Sequence, residues 1–600
     1  MNNNKVIEQV TRRILERSEA SRSRYLAKTE AQAAQGKTRS HLSCGNLAHT
    51  VAACPSSQKG TILDFTRVNV GIITAYNDML SAHQPYGTYP DTMKKTLAEL
   101  GHSAQIAGGV PAMCDGVTQG QDGMDLSLFS RDLIAQATAV SLSHNTFDAT
   151  LLLGICDKIA PGQLIGALSF GHLPSAFVPS GPMSAGISND EKVKVRQQYA
   201  AGEVGKAALQ DMECNAYHSP GTCTFYGTAN TNQLVFEAMG LMLPGSSFVA
   251  PNDPLRSALT EKITAHIVTQ ADNGTQYRPL SRVVDEKSIV NGLVALLASG
   301  GSTNHSIHLV AVAAAAGYVL TWDDIEELSQ VVPLLAKMYP NGPADINEFQ
   351  QAGGVPTLMK ALADRGLLNM DATPVYGSME DYLSTPRLQN GKLVFEPAAD
   401  SSNPNVISLP GTQFSEQGGL KVLDGNLGRG VIKVSAVAPE YRFIEAPARV
   451  FESQHDVEKA YHAGEFTQDA VIVVRHNGPA ANGMPELHKL MPIMGNLMKS
   501  GLRVALVTDG RLSGASGKVP AVIHLSPEAQ RGGPLCRIND GDVIRVDAQA
   551  GRIDVQTDLS ARPETHPELA PEHLGSGREL FSAFRQMVSS AEQGASIFSF

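Results

Sequence analysis

What this chain lacks narrows its function before any motif is weighed. None of its 600 residues falls in an apolar run long enough to span a bilayer. The longest such run, Leu309 to Leu320, is Ala-rich and far too short. No block of Lys or Arg occurs and the net charge is −11, which argues against nucleic acid or an anionic membrane as the main partner. The first residues, Met1-Asn2-Asn3-Asn4-Lys5, lack the apolar core of a signal peptide. Cysteines are few, odd in number at seven, and widely spread, so they do not form a disulfide framework. A cytoplasmic protein is expected, with thiols free to bind metal. There is no internal repeat and no well-placed dinucleotide fingerprint. The run Thr508-Asp509-Gly510-Arg511-Leu512-Ser513-Gly514-Ala515-Ser516-Gly517-Lys518 fails as a phosphate loop. It has Leu512 where such a loop needs Gly, and Val519 where it needs Ser or Thr.

What is present indicates an α/β protein of two or more domains. An apolar share of 42% is enough for full cores. Val6, Val10 and Ile14 share a helical face, which predicts an amphipathic surface or dimer-contact helix over 5–28. Residues 29–60 read as polar loop carrying Cys44 and Cys54. A strand over 68–74, a helix over 89–100, a helix over 126–143 and a strand over 149–155 give a βαβ pattern, hence a parallel sheet with right-handed crossovers. Glu191 to Glu213 reads as one charged helix. After an irregular stretch over 370–405 the pattern changes to short β-rich pieces at 430–436, 470–474, 502–507 and 542–548, with a last helix near 578–592. We therefore expect a large N-terminal domain, 1–395, with a parallel sheet flanked by helices, and a smaller, β-rich, barrel-like C-terminal domain, 396–600.

Two Cys-Asp pairs stand where chemistry is usually placed. Cys114-Asp115 lies in a Gly-rich loop, and Cys156-Asp157 follows an apolar strand. Ligands bind outside the carboxyl ends of strands in open α/β sheets. A thiolate beside a carboxylate there points to a soft metal and a hard metal in one pocket; alternatively, Cys156 packs as a small apolar residue. Cys223 sits among small and hydroxyl residues ahead of a helix, which suits either an iron–sulfur centre or a capped helix with a buried thiol. Ser302-Thr303-Asn304 opens a helix and offers N–H groups to an anion, or is plain capping. The loops 476–486 and 508–518 each adjoin a strong strand and stay open to substrate; each alone also reads as a solvated turn.

Together, Met113-Cys114-Asp115-Gly116-Val117-Thr118-Gln119-Gly120, Cys156-Asp157-Lys158-Ile159-Ala160-Pro161-Gly162, Pro220-Gly221-Thr222-Cys223 and Thr508-Asp509-Gly510-Arg511-Leu512-Ser513-Gly514 resemble the signatures of the dihydroxyacid/6-phosphogluconate dehydratase family. The similarity covers nearly the whole chain. The loop Tyr76 to Tyr86 and the run Thr224 to Asn230 resemble the 6-phosphogluconate branch. The resemblance implies a hydro-lyase that removes water from 6-phospho-D-gluconate. The residues alone leave open a sibling acting on dihydroxy or sugar acids, and a non-catalytic sugar-phosphate or metal-binding protein. The resemblance further implies an iron–sulfur cluster, [4Fe–4S], on Cys156 and Cys223, and Mg²⁺ on Asp115, Asp157 and Glu486. Lys158 matches a lysine that in relatives is carbamylated and binds metal, and Ser513 matches a proposed proton acceptor. A homodimer is implied. One departure concerns the third cluster ligand: dihydroxyacid dehydratases have a cysteine where this chain has Ala82. Cys114 is the candidate in its place, ahead of Cys44 and Cys54. The 6-phosphate is expected at Ser302-Thr303-Asn304, Arg511 or Lys518.

Overall fold

The computed structural model describes residues 4–271, 276–514, 516–567, 575 and 577–600. Four strands, β1 (Asn69–Thr74), β2 (Ser103–Gly109), β3 (Ala149–Leu153) and β4 (Ser175–Phe177), form a sheet in the order β2-β1-β3-β4. Every neighbouring pair is parallel. β1 and β3 are buried along their whole length, which is why both read as unbroken apolar runs. The helices Tyr89–Glu99 and Ser127–Leu142 connect the first three strands in sequence, as expected, and Ile159–Leu168 joins β3 to β4. The hairpin β5 (Ser384–Gln389) and β6 (Lys392–Pro397) lies outside this sheet. The expected boundary near 395 falls on that hairpin.

Two readings of the first half are corrected and one is sharpened. The first helix, Lys5–Arg17, is amphipathic as expected, with Glu8, Gln9, Arg12 and Glu16 exposed on its outer face. Ile7, Val10 and Ile14 are fully buried in the main core, where the helix packs against the helices Glu286–Ala298 and Trp322–Val331. Residues 29–60 are mostly helical, with Cys44–Ala52 and Ser56–Leu63 making a small cluster of their own around Leu47, Val51, Cys54 and Ile62. The expected helix over 191–213 is two, Asn189–Ala200 and Lys206–Ala216, interrupted where Gly202 takes a left-handed φ of 75°.

The C-terminal part is a closed barrel of eight strands: β7 (Lys421–Gly425), β8 (Gly428–Ile432), β9 (Phe443–Phe451), β10 (Ala470–Val474), β11 (Val504–Thr508), β12 (Ala521–Ser526), β13 (Val543–Asp547) and β14 (Arg552–Val555). Their order is β10-β11-β12-β8-β7-β14-β13-β9. Successive side chains on a strand face opposite sides. Thus Val471 and Val473 fill the barrel, while Ile472 and Val474 sit under the outer helix Leu490–Lys499 with Leu490, Met494 and Leu497. The last helical segment is shorter than expected, Ser582–Met587, flanked by 3-10 turns.

Candidate active site

The site is assembled from chain reversals at the ends of strands. After β3 the chain turns into the helix Ile159–Leu168 through Cys156, whose φ of 77° is in the left-handed region. A non-glycine residue there costs about 1–3 kcal/mol and persists only where its surroundings fix it. Three groups do so. Asn232 donates from its amide to the carbonyls of Cys156 and Asp157, both at 3.0 Å. His305 Nε2 donates to the Asn232 Oδ1 at 2.9 Å. His83 Nε2 donates to the carbonyl of Ile155 at 3.0 Å. The turn is therefore built to present Cys156 and Asp157 together. Cys114 caps the short helix Asp115–Thr118 beyond β2. Cys223 lies in a loop whose carbonyls at Cys223 and Phe225 accept from the Asn230 amide.

These three thiols converge. A hydrogen bond between Cys114 and Cys156 holds the Cys114 thiol below the usual range and, with burial, pushes Cys156 up. Burial and then the charge of Cys114 push Cys223 up to about 12. All seven cysteines are free thiols, so no disulfide competes for them. Cys44 is exposed, and Cys54 belongs to its separate helical cluster with the Gln105 amide on its sulfur at 3.1 Å. Ala82 is buried and carries no ligand atom.

Beside the thiols stand the carboxylates. Oxygens of Asp115, Asp157 and Glu486 lie within 4.8 Å of one another. Asp115 and Glu486 are buried and come from different halves of the chain. Lys158 Nζ bonds Asp115 and reaches Asp157 at 3.4 Å. Arg511 pairs with Asp115 at 2.9 Å and Glu486 at 3.2 Å. Burial alone would raise the Asp115 carboxyl, but the Arg511 and Lys158 charges outweigh it and hold it well below the usual range. Burial, joined by the Asp115 charge, pushes Glu486 up to about 7. Gln119 donates to Glu486 at 2.8 Å, and Ser127 bonds Asp115.

The Ser513 loop closes the site from the barrel side. It leaves β11 and is pressed onto the first domain. The Asn304 amide donates to the Leu512 carbonyl at 3.2 Å. A Cβ on Gly514 would meet Ser302 Oγ at 2.3 Å and the Thr228 nitrogen at 2.7 Å, so only glycine allows that approach. Lys433 Nζ donates to the Gly514 carbonyl at 2.7 Å. Ser513 is half-buried.

Residues 67–381 match the family model described as dihydroxy-acid/6-phosphogluconate dehydratase N-terminal, and residues 405–595 match its C-terminal counterpart. The chain belongs to this dehydratase family. It is 56% identical to a phosphogluconate dehydratase of Escherichia coli strain K12, over 98% of this chain and 99% of that protein. The same identity holds to a phosphogluconate dehydratase of Pseudomonas aeruginosa, over 98% of each chain. A dihydroxy-acid dehydratase of Ignicoccus hospitalis is more distant, at 31% over 89% of this chain and 95% of that protein. Like the rest of its family, this chain is an enzyme that eliminates water. No helix among the described residues is long and apolar enough to cross a membrane.

The structure brings Cys114, Cys156 and Cys223 together with Asp115, Asp157, Lys158 and Glu486, while Cys44, Cys54 and Lys518 are not among them. The expected phosphate candidates already have partners within the protein. Arg511 is spent on carboxylates, and Ser302 and Asn304 are buried beneath the Ser513 loop with Thr228 as partner. Lys518 is exposed and lies over the Tyr339 ring. The sequence reading named Arg511 for the phosphate and missed that it pairs with Asp115 and Glu486. It also missed Ser127, Lys433 and the Asn232–His305 brace, which carry no local signature because each acts across the fold.

Proposed function

We propose that this protein dehydrates 6-phospho-D-gluconate to 2-dehydro-3-deoxy-6-phospho-D-gluconate, the hydro-lyase step of the Entner–Doudoroff route. The observation that carries this reading is the meeting of three thiols and three carboxylates from separate loops beside a serine loop of the other domain. The full-length similarity to phosphogluconate dehydratases selects the substrate.

The donor sets fit the cofactors implied by the family. Buried carboxylates crowd together only around positive charge, and Asp115, Asp157 and Glu486 would hold Mg²⁺, a hard cation that takes oxygen ligands. Lys158 would join them only as a carbamate, since an ammonium has no lone pair to donate. Cys114, Cys156 and Cys223 would hold an iron–sulfur cluster of the [4Fe–4S] type with one iron not bound by cysteine. When bound, these groups supply Lewis acids for the C3 hydroxyl and for the C1 carboxylate and C2 oxygen.

The protein's own groups do the rest. Arg511 keeps Asp115 ionised. Ionised Ser513 Oγ takes the C2 proton, the C3 oxygen leaves as water carrying a proton handed back by that serine, which returns to its ionised form, and the enol tautomerises to the ketone. A serine hydroxyl is too weak a base unaided and must ionise beside positive charge. Lys433 holds the neighbouring carbonyl of Gly514 and so fixes the loop in place. The enzyme works as a cytoplasmic homodimer in this reading. Supporting the dimer are β2, an edge strand, and the exposed apolar Ile106 and Val140.

Anaerobically purified protein should turn over 6-phosphogluconate in preference to 2,3-dihydroxyisovalerate. Ser513→Ala should lose about 10²–10⁴ in kcat at unchanged iron and sulfide content. Wild-type protein with a full cluster and no turnover of either substrate would sink the reading.

A further inference from the structure

With Arg511 and the 302–304 turn committed elsewhere, the phosphate of the substrate needs another cation. One buried lysine beside the thiols has no carboxylate in contact, though the charges of Asp345 and Glu213 reach it. Lys192 lies on the helix Asn189–Ala200 and is 3% exposed. Its Nζ reaches only neutral acceptors: Thr224 Oγ1 at 3.1 Å and Asn189 Oδ1 at 3.4 Å. Among the described residues no carboxylate lies within ion-pair distance of it. Burying an ammonium without a counter-charge in contact is costly. A second, independent feature stands next to it. Asn189 is 4% exposed, and its Nδ2 has no hydrogen-bond acceptor. Buried donors are nearly always paired. A missing acceptor that is both anionic and rich in oxygen satisfies the two groups together.

The position is right for one end of the substrate. Thr224 adjoins Cys223. Arg196, one helical turn beyond Lys192, is clamped on Glu213 at 2.7 and 2.8 Å, and its charge reaches both Cys223 and His488. The helix packs on Leu490–Lys499 of the barrel domain, with the Asn496 amide donating to the Gln197 carbonyl at 3.3 Å. The group therefore sits at the domain interface, beside the proposed site.

We propose that Lys192, with the Asn189 amide and the Thr224 hydroxyl, binds the terminal phosphate of the substrate and sets the preference for phosphorylated sugar acids. This rests on the proposed substrate. A charge-assisted phosphate contact discriminates by about 10- to 100-fold. In the reconstituted holoenzyme, Lys192→Met should lower the ratio of kcat/KM for 6-phosphogluconate over gluconate by that factor. Iron and sulfide per chain should stay constant, and inorganic phosphate should become a weaker competitive inhibitor. Lys192→Arg should restore most of the ratio. Asn189→Ala, which keeps the charge, should lower it about five-fold and serves if the lysine variant does not fold. An unchanged ratio overturns the proposal, and so does an equal loss on both substrates accompanied by loss of iron, which would make Lys192 a support for the thiols. The substrate reading fails separately, if wild type dehydrates neither compound. Calorimetry with inorganic phosphate then decides: binding by wild type and not by Lys192→Met upholds the subsite, and no binding by wild type ends it.

Discussion

His83 shows how single residues hold this site. It is fully buried, and burial pulls its pKa down to about 4 although the Ile155 carbonyl accepts its Nε2 proton. The imidazole is thus neutral in the fold, while the unfolded chain protonates near pH 6.5. The unfolded state binds more protons below that value, so His83 removes stability as pH falls from 6.5 towards 4. One unit below 6.5 the loss is about 1.4 kcal/mol. His83→Gln keeps a donor for the Ile155 carbonyl and removes the titration. The stability advantage of wild type over this variant should therefore shrink by about 1.4 kcal/mol between pH 7.5 and 5.5. Denaturant unfolding at the two pH values checks this. A constant gap would mean that His83 titrates in the fold as it does in the unfolded chain, and a gap that widens as pH falls would mean that it is protonated in the fold.

At the scale of elements, the 508–517 loop depends on contacts its own sequence does not contain. Its strand, β11, was legible as an apolar run, and its glycines marked a turn. What aims it lies elsewhere: Asn304 on Leu512, Thr228 and Ser302 against Gly514, and Lys433 on the Gly514 carbonyl. Burial lowers the Lys433 pKa to about 7. Lys433→Met is close in shape and leaves that carbonyl without its donor, which should cost about 1–3 kcal/mol of stability. Because the serine loop loosens while the carboxylate site stays built, kcat should fall about 10- to 100-fold with KM little changed. Steady-state kinetics at constant iron content test this; a rise in KM alone would place Lys433 in substrate binding. The same contrast explains what the sequence made legible. Strand ends, glycine turns and Cys-Asp pairs are local, so the parallel sheet and the strand-end loops that carry Cys114 and Cys156 could be read. The barrel order interleaves parallel and antiparallel neighbours far apart in the chain, and no local pattern encodes that. The helical packing of 44–63 rests on a small private cluster that its polar composition concealed. The pairing of Arg511 with Asp115 was not legible because burial by a distant domain leaves no mark on neighbouring residues.

For the molecule as a whole, buried charge joins the two halves. Asp115 and Asp157 belong to the sheet domain, and Glu486 and Arg511 to the barrel domain. Arg511 also donates to the Met484 carbonyl at 2.8 Å and to Ser127 at 3.3 Å, so one guanidinium spans the interface. Removing one partner of a buried ionic network leaves the others uncompensated and costs about 3–5 kcal/mol. Arg511→Met should therefore unfold several degrees below wild type in EDTA. Three crowded carboxylates would then face only Lys158, and a divalent cation becomes the remaining way to neutralise them. Ligand binding to the folded state alone adds stability as RT ln(1 + [L]/Kd). Adding Mg²⁺ should consequently raise the melting temperature of the variant more than that of wild type, read by calorimetry on matched samples. Equal Mg²⁺ shifts in the two proteins would show that the carboxylates do not share a cation, and that Arg511 serves the interface alone.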